Sequence, residues 1–397
     1  MSGPLEGVRI VDMTQMIAGP LATMILADQG AEVIKVENPK GGDHTRQVSQ
    51  MRAGLSASFL NNNRNKRSLA LDLKRPAALE ALKRLVAGAD VFVQNFRPGV
   101  MARMGLDEAS LRAVNPQLIY VSISGFGDRG PYAHKPVYDP LVQALSGLTT
   151  VQAGSDEARP RLVRTILPDK LTAITASQAI TAALFARERR GIGQHVRLSM
   201  LDAIVAFLWA SDMSSQTFIG DERPQQMAQS FIDLIYETRE GYVSVAVQSN
   251  KEWAGLCAAL DRPEWLEDPR FRTPALRQTN IDARLSLTQE VLATDRAAHW
   301  LAVLEAHDVP CAPVLRRRDL EEHPQIRATG IIQVFEHERA GPLRQARPAA
   351  EFSETPPAYR HGGRPLGADT EALLSELGYK EEEIAAIGAG DPVGAQA

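Results

Sequence analysis

Between Val8 and Glu37 the sequence reads strand, turn, helix, strand. "VRIVDM" (Val8–Met13) is a short apolar run and "TQMIAGP" a turn. "LATMILADQG" (Leu21–Gly30) is helical and closes on a glycine suited to a C-cap, and "AEVIKVE" (Ala31–Glu37) is extended again. This is a βαβ unit. The alternation repeats in the strand "SLALDL" (Ser68–Leu73) and the amphipathic helix Arg75–Asp90, which has proline near its start. The strands "VFVQNF" (Val91–Phe96) and "LIYVSIS" (Leu118–Ser124) follow. Strands separated by helices predict an α/β fold with a parallel sheet and helices on both faces.

Further on, "PDKLTAITASQAITAALFARERRG" reads as one long helix from Pro168, with Asp169 at its head and Arg187, Arg189 and Arg190 at its tail. Both ends suit the helix dipole. "QHVRLSM" is a short strand and "LDAIVAFLWASDM" a buried helix. At 397 residues the chain favours two or three domains. The expected division is a large domain over 1–212, a polar linker over 213–232, and a smaller, mostly helical α+β domain over 233–328. A return segment over 329–397 contains a hairpin and two short helices and completes the large domain.

Several function classes lose ground here. The net charge of −4 favours neither nucleic acid nor an anionic membrane. The two cysteines, Cys257 and Cys311, form no C-x-x-C, so a reducing cytosolic setting is the expectation. The start lacks a signal-peptide pattern, and no apolar run is long enough to span a membrane. The eight histidines show no metal-ligand spacing, and neither a G-x-S-x-G elbow nor a P-loop occurs. Arg316–Arg318 read as a solvated basic segment beside Asp319 and Glu321. A G-x-G-x-x-G does occur, at Gly125–Gly130, but Pro131 and Pro136 follow where a dinucleotide site needs a helix to begin. "TQMIAGP", "NFRPG" and "SGFG" each follow the carboxyl end of a predicted strand, where open parallel sheets collect ligands.

Asp169 admits two readings. An aspartate opening a helix is ordinarily an N-cap. Behind "TILP" and ahead of small residues, it is also a carboxylate poor in water yet held ionised by helix N–H groups, which suits a nucleophile.

These segments together resemble the class III CoA-transferases, the formyl-CoA transferase family, which also includes 2-methylacyl-CoA racemases. The likeness is carried by "LEGVRIVDMTQMIAGPLATMILADQGAEVIKVENPKGGDHTR", "NRNKRSLALDLK", "ADVFVQNFRPGVMARMGL", "LIYVSISGFGDRGPYAHKPVYDPLVQALSG" and "PDKLTAITASQAITAALFARERRGIGQHVRLSMLDA". It runs through nearly the whole chain. The resemblance implies a Rossmann-like large domain, an interlocked ring-like homodimer in the cytoplasm, and no metal or permanently bound cofactor. It implies CoA thioesters and carboxylic acids as substrates, and Asp169 as a nucleophile that passes through acyl-aspartyl anhydride and aspartyl-CoA thioester intermediates.

Position by position, it makes Ile17, Ala18, Leu71, Lys74, Asn95, Phe96, Arg97, Arg103, Lys135 and Tyr138 the expected CoA contacts. Arg46 and Gln248, the latter in the loop 247–253, are candidate acceptor contacts, and succinyl-CoA is the donor suggested by family habit. The chain departs from formyl-CoA transferases at Ile17, where they carry glutamine, at Asn38, where they carry arginine, and in "VQSNKEW", where they carry a glycine-rich loop. These departures count against formyl-CoA:oxalate specificity. The racemase branch uses a histidine where this chain has Tyr138. A tyrosine hydroxyl, ordinarily near pKa 10, is a poor base at neutral pH, so transferase ranks above racemase. A catalytically silent CoA-binding protein is a third reading, and a nicotinamide-dependent oxidoreductase a distant fourth.

Overall fold

The protein is described by a computed structural model covering residues 3–220 and 234–388. The expected linker therefore lies outside the described residues from 221 onward. The chain divides into two compact units. One takes the residues up to Ala153, those from Ala158 toward the linker, and those from Gly330 on; the other takes Gly154–Glu157 and the chain up to Thr329.

The first unit opens with β1 (Arg9–Asp12), α1 (Ala18–Asp28) and β2 (Glu32–Glu37). A small antiparallel pair, β3 (Met51–Arg52) and β4 (Leu55–Ser56), leads through α2 (Ala57–Asn63) to β5 (Lys66–Ala70). Next come α3 (Pro76–Ala87), β6 (Val91–Gln94), α4 (Val100–Arg103), α5 (Glu108–Val114) and β7 (Ile119–Ser124). Then α6 (Asp139–Leu145), α7 (Leu148–Ala153), α8 (Leu167–Arg190), β8 (His195–Ser199) and α9 (Met200–Trp209) complete the run.

The six strands lie in the order β5-β2-β1-β6-β7-β8, and every pairing is parallel. In sequence rank this is 3-2-1-4-5-6, the Rossmann order, and it reverses between β1 and β6. Alternation along each strand fills two cores. Ile10, Val33, Val91 and Ile119 pack with α1 and with Ala173, Ala176 and Ile180 of α8. Val11, Ile34, Phe92 and Tyr120 pack with Ala78, Leu82 and Leu85 of α3. The alanine face of α8 lets it lie close along α1.

Two expected boundaries move. The strand predicted at Ser68–Leu73 runs instead over Lys66–Ala70, because buried Lys66 is neutralised within the fold. Helix α1 ends at Asp28 with Gln29 as its cap, and Gly30 follows with φ 106°.

The second unit contains β9 (Ile235–Glu237), β10 (Tyr242–Val245), α10 (Asn250–Ala259), α11 (Pro274–Thr279), α12 (Ile281–Leu292) and α13 (Ala297–Ala306). After these come β11 (Cys311–Pro313) and α14 (Pro324–Thr329). Its sheet is antiparallel in the order β11-β10-β9. Trp253, Trp265, Phe271 and Trp300 form the centre of its core.

The chain then returns to the first unit as the hairpin β12 (Ile332–His337) and β13 (Gly341–Ala346), followed by α15 (Thr370–Glu376) and α16 (Glu381–Gly388). Asp369 accepts the Ser68 N–H at 2.8 Å, and Thr370 accepts the Ala70 N–H at 3.0 Å. These contacts occupy donors on the outer edge of β5, which an edge strand would otherwise leave open. Leu373 and Leu374 complete the core beside Val11 and Ile34. Among the described residues, no helix is long and apolar enough to cross a membrane.

Candidate active site

The strand order reverses between β1 and β6, so the loops leaving these strands diverge and open a crevice. They are tied at its base. Asn95 accepts the Gln15 N–H at 2.9 Å and donates its amide to the Gln15 carbonyl at 2.8 Å. The loop after β1 then enters α1 at Ala18, with Ile17 as an N-cap that offers no side-chain hydrogen bond. The first amides of α1 are consequently free to serve an anion from elsewhere. Gly19 is needed here, since a Cβ at that position would lie 2.3 Å from the Thr14 Cβ.

That anion is Asp169. It is not the cap of α8: Ile166 holds the cap position and Pro168 the first turn, which leaves Asp169 inside the helix. Its carboxylate accepts from the Ala18 N–H of α1, and its own N–H donates to Asp139 Oδ2 at 3.3 Å. The idea that helix amides keep it readily ionised is corrected in direction. Burial, followed by the negative charge of Asp139, raises its pKa to about 6, and the single Ala18 N–H opposes this only in part.

Asp139 stands at the head of α6, 4% exposed, with Oδ1 receiving the Gln143 amide at 2.6 Å. Burial raises its pKa as well. Gln143 also accepts the Val163 N–H at 2.9 Å and donates to the Thr165 carbonyl at 3.2 Å, which fixes the approach to α8. The result is a pair of close, poorly hydrated carboxylates, one of them held by a helix N-terminus. An anionic oxygen so placed can attack a carbonyl carbon.

The Gly125–Gly130 motif does not form a nucleotide cradle. Gly125 packs against Val137, Gly127 and Gly130 take φ 89° and 82°, and the next helix starts only at Asp139. The helix N-terminus at the point of strand reversal belongs to α1.

A sequence profile described as CoA-transferase family III matches residues 5–370. The chain belongs to that family. It is 33% identical to succinyl-CoA:glutarate CoA-transferase of Mus musculus, over 96% of this chain and 88% of that protein. It is also 33% identical to acetyl-CoA:oxalate CoA-transferase of Acetobacter aceti, over 96% and 97% of the two chains. A CAIB/BAIF family protein from Brucella suis superposes with a TM-score of 0.83 at 30% identity, covering 95% of this chain and 100% of that one.

Membership in the CoA-transferase family makes this protein a transferase and gives the other positions a context. Lys74, Arg97, Arg103 and Lys135 are exposed cations on segments that follow β5, β6 and β7 at the carboxyl edge of the sheet. Lys135 lies over the Tyr132 ring at 3.3 Å. Phe96 lines a cavity of about 250 Å³ with Tyr120, Ser122 and His195. Tyr138 is 69% exposed, and Leu71 is buried.

Two positions have internal partners instead of open donors. Asn95 is engaged with Gln15, as described. Arg46 places its guanidinium on Glu37 at 2.6 Å and over the Phe59 ring at 3.7 Å. A substrate role for Arg46 would require that pair to break or to be shared. Gln248 lies in the second unit, where its N–H donates to Glu252 in the capping turn of α10. Sequence reasoning missed the part played by Asp139. The available signal was "YDP", an aspartate directly before a proline suited to the first turn of a helix.

Proposed function

We propose that this enzyme moves CoA from an acyl-CoA donor, succinyl-CoA in the first instance, to a dicarboxylic acid, with Asp169 as the covalent nucleophile. The observation that carries the reading is the Asp169 carboxylate, half-buried beside buried Asp139 and met by the Ala18 N–H. The acceptor class is supported by the relatives, whose names specify glutarate and oxalate. Arg161, Arg164 and Lys170, exposed on either side of Asp169 in sequence, suit an anionic substrate.

In this mechanism a carboxylate oxygen of Asp169 attacks the thioester carbonyl. The C–S bond breaks and CoA leaves as thiolate. The thiolate attacks the aspartyl carbonyl of the anhydride, releasing the donor acid and leaving an aspartyl-CoA thioester. The acceptor carboxylate then expels the thiolate to form a second anhydride. The thiolate attacks the acceptor's carbonyl, and Asp169 is released as carboxylate. No proton changes hands, so Asp169 needs only to be ionised, while burial keeps water from the anhydrides.

Incubation with succinyl-CoA and hydroxylamine is expected to leave a hydroxamate on Asp169, read by peptide mass spectrometry. An adduct elsewhere, or none, removes the covalent assignment. In a panel of acceptors, dicarboxylates should exceed monocarboxylates of equal length by roughly tenfold or more in kcat/KM, and parity would remove the acceptor class. Because the carboxyl titrates at about 6, kcat/KM should fall tenfold per pH unit below 6 and level off above it. A plateau extending down to pH 4.5 would contradict this.

We also propose a homodimer. Ile174 and Phe185 of α8 and Phe207 and Trp209 of α9 are between 48% and 64% exposed, an apolar load suited to burial against a second chain. Sedimentation equilibrium measures this directly.

A further inference from the structure

The turn between β1 and α1 has no regular structure, yet five successive backbone groups in it are taken by side chains. Thr14 donates its N–H to Asp12 Oδ1 at 2.8 Å, and its carbonyl accepts from Lys35 Nζ at 2.8 Å. Asn95 takes both the N–H and the carbonyl of Gln15. The Met16 N–H donates to Asp43 Oδ1 at 3.2 Å. Met16 itself has φ 69°, a left-handed conformation unfavourable for a residue with a Cβ, which persists only when its surroundings enforce it.

Asp43 is the anchor at that point. It is fully buried and far from Met16 in sequence. Its Oδ1 also accepts from the N–H and hydroxyl of Thr45, at 2.9 and 2.8 Å. Its Oδ2 pairs with Lys35 at 2.9 Å. Its own N–H donates to Glu37, which pairs with Arg46. Behind Lys35, Lys66 pairs with Asp12 at 3.0 Å. Asp43 is therefore fixed from four sides, and it holds the backbone two residues before the Ala18 N–H that meets Asp169.

We propose that Asp43 is a positioning residue for the transfer reaction: by holding Met16 in its left-handed conformation, it aims the Ala18 N–H at the Asp169 carboxylate. The inference rests on Asp169 being the nucleophile. Charged neighbours of that carboxylate are Asp139, which opposes its ionisation, and Lys170, which acts on Asp139. Neither is touched by a change at Asp43.

The readout is the acid limb of the kcat/KM profile. The Ala18 N–H favours the ionised carboxylate, so misaiming it must move the limb to higher pH. Asp43→Ala is expected to raise the limb by about half a pH unit or more and to lower kcat roughly tenfold. Asp43→Asn keeps an oxygen that accepts from Met16 and Thr45 but loses the charge facing Lys35. It should melt earlier than the unaltered enzyme yet leave the limb in place, which a purely structural role would not produce. Met16→Gly added to Asp43→Ala should recover about fivefold in kcat, since glycine takes the left-handed conformation freely.

If Asp43→Ala does not fold, Met16→Val serves instead. A β-branched residue resists that conformation and should raise the limb in the same direction. An unmoved limb in Asp43→Ala or Met16→Val, or an equal shift in Asp43→Asn, overturns the inference. The hydroxylamine adduct of the unaltered enzyme is scored first. Its absence from Asp169 removes the nucleophile assignment and this inference together, whereas an adduct with an unmoved limb removes the inference alone.

Discussion

Asp169→Asn is expected to stop CoA transfer while raising stability at neutral pH. The asparagine is nearly the same shape and can still accept the Ala18 N–H. Its neutral amide oxygen cannot open a thioester, so turnover should fall on the order of 10⁴-fold or more, the scale seen when a covalent nucleophile is removed. Stability moves the other way because of linkage. The folded pKa is about 6 against an ordinary 3.8, so the native state holds this proton more tightly than the unfolded chain does. Ionising it costs stability progressively as pH rises from about 4 to 6, and the full cost is present at pH 7. An uncharged replacement recovers that cost, on the order of 2 kcal/mol at pH 7, and recovers none at pH 4, where the native carboxyl is already protonated. Melting curves of both proteins at pH 4 and pH 7 give the comparison. Turnover above one part in a hundred, or equal melting at pH 7, would contradict the assignment.

The largest loss of stability is expected from Asp12→Asn. Asp12 is fully buried; its Oδ2 pairs with Lys66 and accepts the Thr23 hydroxyl at 2.7 Å, and its Oδ1 takes both donors of Thr14. The nearby ammonium groups of Lys66 and Lys35 overcome the burial penalty and hold its carboxyl well below the usual range. Removing the charge leaves the Lys66 ammonium buried with only neutral oxygens in direct contact, among them the Pro20 carbonyl and Asn63. Breaking one half of a buried pair costs about 3–5 kcal/mol.

The pH dependence identifies the cause. Lys66 titrates at about 8 in the native protein, already lowered by burial, and loss of Asp12 lowers it further. The variant's deficit is therefore full below the lowered value, shrinks between that value and about 8, and is constant above it, where the native protein has shed this proton too. Urea unfolding at pH 6.5 and pH 9 measures both quantities. A deficit under 1 kcal/mol, or one that grows with pH, would rule this account out.

Much of the sheet was legible because strands buried on both faces are continuous apolar runs, as in "VRIVDM" and "VFVQNF". The start of β5 was not, since Lys66 looks like a surface residue until Asp12, 54 positions away, is brought beside it. The site was partly legible. Pro168 argued for the first turn of a helix, so Asp169 had to lie inside it rather than cap it, and that reading was open to the sequence. The raised pKa was not. It depends on burial and on Asp139, thirty residues earlier, offset in part by Ala18, from a helix that only the strand order sets against α8. The CoA positions came from family resemblance, and nothing in residue type alone would have separated Arg46, committed to Glu37, from exposed Arg97.

The contacts that tie Asp369 and Thr370 to β5 have a consequence for synthesis. They join residues about 300 apart, 301 in the case of Ser68 and Asp369. A ribosome adding about 5–20 residues per second needs on the order of 15 seconds or more to cover that distance. Through that interval the nascent sheet has an uncovered edge and a core lacking Leu373 and Leu374. The second unit, whose β-strands and helices lie within one stretch of chain, is free to fold first, while the unit begun earliest closes last. Until residues 369–374 are made, the edge of β5 is open to pairing with other chains.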